Sequence, residues 1–148
     1  MDRALQGHPR LSGPEKVCPL VTRRADGQRQ VLAFIHPLAG RQFVKGSIEP
    51  DETPAEAAAR ELAEESGIRP VAPPVFLGTS PIGSDRQIWH FFDCPTTALP
   101  DHRQHWTEDG GGLLFDFFRH ELDKMPGSYW HPIFHDAHAV IRRLFGCG

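Results

Sequence analysis

Between Thr53 and Gly67 the chain carries a helix whose ends are written into its residues. Thr53 is a good N-cap, Pro54 suits the first helical position, and Glu56 completes a capping box with Thr53. Ala55, Ala57, Ala58, Ala59, Leu62 and Ala63 are strong helix formers, and Gly67 is a natural stop. The charges of this helix follow a different logic. Glu61 lies three and four residues from Glu64 and Glu65, so three carboxylates crowd the last two turns. Each like-charge pair at that spacing destabilises a helix by about 0.2–0.5 kcal/mol. All three also sit at the negative end of the helix dipole, where lysine or arginine belongs. Charge alone favours a solvated acidic face partly compensated by Arg60. The broken local rule leaves a functional site as the other reading. A divalent cation resolves the conflict, and hard carboxylate oxygens suit Mg²⁺, with Mn²⁺ as its nearest substitute.

The residues around the helix carry the reading further. From Gly46 to Ile68 the sequence runs GSIEPDETPAEAAARELAEESGI. It holds Gly46, then Glu52, then Arg60-Glu61-Leu62, then Glu64-Glu65, then Gly67-Ile68, at fixed intervals. This stretch resembles the Nudix box at every specified position. The resemblance implies an α+β Nudix fold, an α/β/α sandwich with a mixed β-sheet between helices and the box as a loop-helix-loop. It implies a metal-dependent hydrolase that cleaves a diphosphate linkage in a small nucleoside diphosphate derivative by water attack on phosphorus. Glu61, Glu64 and Glu65 would be metal ligands, joined by a backbone carbonyl at Lys45 or Gly46. Arg60 would orient the glutamates, while Gly46, Glu52 and Gly67 would play structural parts. Two other members of the same family pattern are a non-catalytic nucleotide-binding regulator and an isoprenoid-diphosphate isomerase. The first goes with an eroded box, and this box is intact. The second needs a catalytic cysteine and a catalytic glutamate outside the box, and Cys94 is the candidate for the cysteine. Dimers are common in the family, so a homodimer is an expectation of the same origin.

The remaining chain reads as mixed strand and helix in one domain over residues 1–148. Residues 1 to about 15 are polar and Gly/Pro-rich, a segment expected to fray. Strands are predicted at Val17–Val21, Val31–Ile35, Gln42–Val44, Val75–Thr79, Gln87–Cys94 and Leu113–Phe118, with hairpin-turn chemistry at Ala25-Asp26-Gly27. Pro95–Gly112 reads as a long polar loop ending in three glycines. Apolar residues recurring from Phe134 to Phe145 predict an amphipathic closing helix.

Outside the box the candidates are fewer. Glu108 and Asp109, ahead of the triple glycine, offer a general base on a loop able to close over substrate. Lys45 is a candidate phosphate contact, with Arg41 and Arg86 weaker candidates of the same kind. Trp89, Phe91 and Trp106 are candidate base-stacking residues, although strand alternation must commit one face of Gln87–Cys94 to the core. The nine histidines lack a cysteine pair at zinc spacing, so structural zinc is not expected. The net charge of −3 gives no basic excess for broad nucleic-acid binding. No apolar run is long enough to span a bilayer. Three unpaired cysteines fit reduced thiols and a cytoplasmic protein. The only tyrosine is Tyr129, so the tyrosine that many dinucleoside-polyphosphate hydrolases carry after the box is missing. The substrate within the class stays open.

Overall fold

Two sheets lie between two helices in the computed structural model, which describes residues 15–108 and 111–147. The polar segment 1–14 lies outside the described residues, as do Asp109 and Gly110. The first sheet has the order β5–β1–β7–β6, formed by Gly46–Ser47 (β5), Lys16–Leu20 (β1), Gln87–Asp93 (β7) and Val75–Ile82 (β6). Its β1 and β7 are parallel and its other pairs antiparallel. The second is antiparallel, in the order β2–β3–β9–β8: Thr22–Ala25 (β2), Gln28–His36 (β3), Leu113–Glu121 (β9) and Arg103–Thr107 (β8). A short β4, Gly40–Gln42, pairs with β3. The helices are α1, Pro54–Ser66, and α2, Pro132–Leu144. This is the mixed-strand α+β arrangement that the resemblance implies.

Period-two alternation divides the strands between two apolar clusters. Val17, Leu32, Phe34, Phe92, Phe115 and Phe117 pack with Ala57, Ala58 and Leu62 of α1. Cys18, Val31, Ala33, Trp89 and Phe91 point the other way, toward Phe134, Ala137 and Ile141 of α2. The β2–β3 turn has positive φ at both Asp26 (51°) and Gly27 (77°), as a two-residue hairpin of the primed type requires.

The structure corrects the reading of Pro95–Gly112 as continuous loop, because β8 lies inside it. Its sequence, RQHWT, has no alternating apolar pattern. The strand is an edge held by pairing with β9 and by contacts to the end of α1 rather than by its own burial. The closing helix begins two residues earlier than predicted, with His131 as N-cap accepting from the Ile133 N–H.

Beneath α2, His138 is wholly buried. Its Nε2 lies 3.1 Å from the Leu122 carbonyl, so Nε2 must donate and the ring is the neutral Nε2–H tautomer. Nδ1 is sealed from solvent with no partner. Burial first, then the neighbouring His120, lower its pKa to about 4. A histidine with a depressed folded pKa contributes stability that is fully present above the unfolded value and lost as pH falls through the folded one. Stability is therefore expected to fall between about pH 6.5 and pH 4, by roughly 3 kcal/mol from this group. Urea denaturation at pH 7.5 and pH 4.5 measures it, and a His138→Gln variant should show a flatter pH profile.

Candidate active site

The helix α1 has the ends its sequence dictates. The Thr53 hydroxyl accepts from the Glu56 N–H at 3.1 Å, and the Glu56 carboxylate accepts from the Thr53 N–H at 2.9 Å. Gly67 is left-handed at φ 75°, and its N–H closes on the Ala63 carbonyl at 2.8 Å. No basic residue occupies the last turn. The missing cation comes from another element: Arg103 of β8 donates from Nη1 to the Ser66 carbonyl at 2.5 Å. That contact satisfies one of the free carbonyls at the helix end and offsets part of the dipole conflict.

Arg60 organises the carboxylates. Its Nε and Nη2 grip Glu52 bidentately at 2.7 and 2.9 Å. Nη2 also donates to the Ser47 carbonyl at 2.9 Å, and Nη1 to Glu61 at 2.9 Å and Glu64 at 3.1 Å. All five guanidinium N–H donors are thus used. The pairing with Glu52 raises the Arg60 pKa and holds the Glu52 carboxyl below its usual range. Glu52 also accepts from the Glu49 N–H at 3.0 Å, which ties the loop ahead of α1 to the helix. Lysine cannot replace such a fork. Arg60→Ala is expected to cost roughly 2 kcal/mol in urea denaturation, a figure for charged hydrogen bonds discounted for the solvent reaching the pair.

The three box glutamates face different surroundings. Glu61 is only 8% exposed and lies on the buried face of α1, directly over Gly46. A Cβ built on Gly46 would overlap the Glu61 carboxylate, both oxygens included. Glu64 points outward, with its side chain 45% exposed, and reaches Arg60. Glu65 is half-buried and lines an open cleft of about 290 Å³ with Phe34, His36, Gln42, Lys45 and Phe115. Among the described residues no three acids, histidines or cysteines gather closely enough to hold an ion as they stand.

Lys45 therefore shares the cleft with Glu65. Arg41 and Trp89, read from sequence as substrate contacts, lie elsewhere. Arg41 pairs with Ile35, facing away from the cleft, and its guanidinium stands 5.2 Å from the Phe118 ring and 6.0 Å from the Tyr129 ring. Trp89 is wholly buried in the cluster under α2, 5.8 Å from Phe134. Glu108 is exposed and borders a separate hollow with Trp106, Gly111 and Gly112. Arg86 sits in the turn joining β6 to β7.

His36 and Gln42 were not singled out from sequence. The Leu38 N–H donates to His36 Nδ1 at 3.0 Å, and burial lowers the pKa of the ring. The neutral ring then carries its proton on Nε2 and is a donor at the cleft. Alternation from Phe34 was the available signal, since Phe34 and His36 must share a face.

The NUDIX domain profile matches residues 14–126, so the chain belongs to the Nudix hydrolase family. A search of curated proteins finds no match. Among solved structures, the MutT protein from Methanosarcina mazei superposes with a TM-score of 0.62 at 20% identity, over 90% of this chain and 97% of that one. The NUDIX domain of Shewanella oneidensis NrtR, solved with ADP ribose, gives 0.60 at 16% identity, over 89% of each chain. The Bacillus subtilis pyrophosphohydrolase BsRppH gives 0.57 at 22% identity, over 97% of this chain and 88% of that one. At these identities the likeness is one of fold.

Proposed function

We propose that this protein is a divalent-metal-dependent pyrophosphohydrolase acting on a nucleoside diphosphate derivative. The observation that carries the reading is the seating of the Glu61 carboxylate over a side-chain-free Gly46, held by Arg60, beside a cleft that Glu65 and Lys45 share. The donor set is all hard oxygen, which fits Mg²⁺ or Mn²⁺. Glu61, Glu64, Glu65 and the Gly46 carbonyl would hold the ion. When bound, it neutralises charge on the diphosphate and makes its coordinated water more acidic.

The chain's own residues have separable tasks in this reading. Arg60 fixes the Glu61 carboxylate and keeps Glu64 beside it. Lys45 balances charge on a substrate phosphate. The His36 Nε2–H and the Gln42 amide donate hydrogen bonds on the same side of the cleft. Phe34 and Phe115, stacked at 4.4 Å, form its apolar wall. Glu108 serves as general base only if its loop closes toward the cleft, and Glu108→Ala tests that role.

The isomerase reading loses its candidate residue. Cys94 is 2% exposed in the cluster under α1, and burial pushes its thiol up to about 12. A thiol so placed is a packing residue rather than a proton carrier. A hydrolysis screen over nucleoside triphosphates, dinucleotides and nucleotide sugars, with Mg²⁺, Mn²⁺ or EDTA, tests the enzyme reading. Turnover that EDTA abolishes is expected on at least one substrate. Tight nucleotide binding without turnover on any of them would assign the chain to the regulators.

A further inference from the structure

A second pocket, of about 180 Å³, opens between the second sheet and the segment that leads into β8. Its lining includes Thr22, Arg23 and Arg119 from the sheet and Thr96 and Thr97 from that segment. Arg119 pairs with Leu32, four residues along β3 from His36. At the usual strand rise that is roughly 13 Å from the cleft end of β3. The pocket is thus separate from the box carboxylates.

The guanidinium of Arg119 is incompletely satisfied. Its Nε and Nη1 are sealed from solvent and have no hydrogen-bond partner. Buried donors of a charged group left unmade are costly, and native structures supply a partner for them. Arg23 approaches from two strands away. Its Nε donates to Gln30 at 2.9 Å and its Nη2 to Asp101 at 2.5 Å. Asp101 is exposed and is already taken by Arg23, although its charge also reaches Arg119. Burial, and then the charge of Arg23, lower the Arg119 pKa. Two arginines thus border one small pocket, with three threonines among its other lining residues.

We propose that this pocket is a second anion site, which takes inorganic phosphate or the terminal phosphate of a monoester. Guanidinium N–H groups bond phosphate oxygens strongly, and Arg23 Nη1 and Arg119 Nη2 lie outside the contacts and sealed atoms named above. The volume lies below the range of about 300–1,000 Å³ usual for drug-sized ligands, so a nucleoside attached to the phosphate would stay outside.

The test follows the Arg119 Nε–H resonance of the full chain while inorganic phosphate is titrated against chloride at equal ionic strength. A saturable shift of that resonance and of the Thr96 and Thr97 amides is expected, with a rise of several degrees in Tm. Arg119→Met should abolish the phosphate-dependent rise. It should also melt higher than the wild type in phosphate-free buffer, because a methionine leaves no unpaired cation. The proposal is overturned if chloride reproduces the shift, or if phosphate moves only the resonances of Gln42 and Lys45. It is equally overturned if Arg119→Met keeps the full response. Should that variant not fold, the wild-type titration decides alone.

Discussion

Glu65→Gln is expected to lower kcat by about two to three orders of magnitude, the range for removing one preorganised electrostatic contact at a reacting centre. The substitution keeps the shape and removes the charge. Glu65 is half-buried at the cleft with Lys45 and His36. It sits one turn from Glu61, and like charges at that spacing repel. With the charge gone, turnover and Mn²⁺ affinity should both fall by far more than any change in Tm explains. Glu64→Gln should lose turnover likewise, but it also gives up the 3.1 Å contact with Arg60. Steady-state kinetics with thermal denaturation of each variant separates a ligand from a residue that merely supports the fold. Wild-type rates in both variants would sink the proposed ligand set.

Gly46→Ala should be nearly as damaging, for a steric reason. Gly46 is not among the positive-φ glycines, so its backbone conformation is open to any residue. What forbids a side chain is the Glu61 carboxylate lying where the Cβ would go. One methyl group must displace either Glu61 or β5, and a misplacement of about 1 Å in a reacting constellation costs on the order of a hundredfold in rate. The clashing atoms are the far end of the Glu61 side chain, so the carboxylate can give way and the cost in stability should be modest. Gly67→Ala makes a useful contrast. Gly67 is held at φ 75° against His105, so that change should act on the end of the helix and on stability first. The expected signature of Gly46→Ala is a kcat loss well beyond what its change in Tm explains.

Where local chemistry decides, the sequence was readable. The capping box at Thr53 and Glu56, the stop at Gly67 and the Asp26-Gly27 turn each follow from one or two residues, and each is present. The box identified the family and singled out Arg60 beside the glutamates. It did not reveal that Arg60 spends every donor, because Ser47 and Glu52 reach it only once the loop has folded back. Facing was harder. Arg41 and Gln42 are adjacent, so one lies in the cleft and the other beneath it, and a single residue of register decides which. Trp89 and Phe91 lie together on one face of β7, as alternation requires, but only packing against α2 makes that face core. β8 went unread because an edge strand held by its neighbours needs no apolar pattern of its own.

The central claim is that water attacks phosphorus at this site, and isotope labelling tests it most directly. The best substrate from the hydrolysis screen is turned over in H₂¹⁸O with Mg²⁺, and both products are weighed by mass spectrometry. One ¹⁸O is expected in a single phosphorylated product, with label and turnover both lost in Glu65→Gln. Label on a carbon-bound oxygen instead, or label persisting undiminished in that variant, would contradict the account.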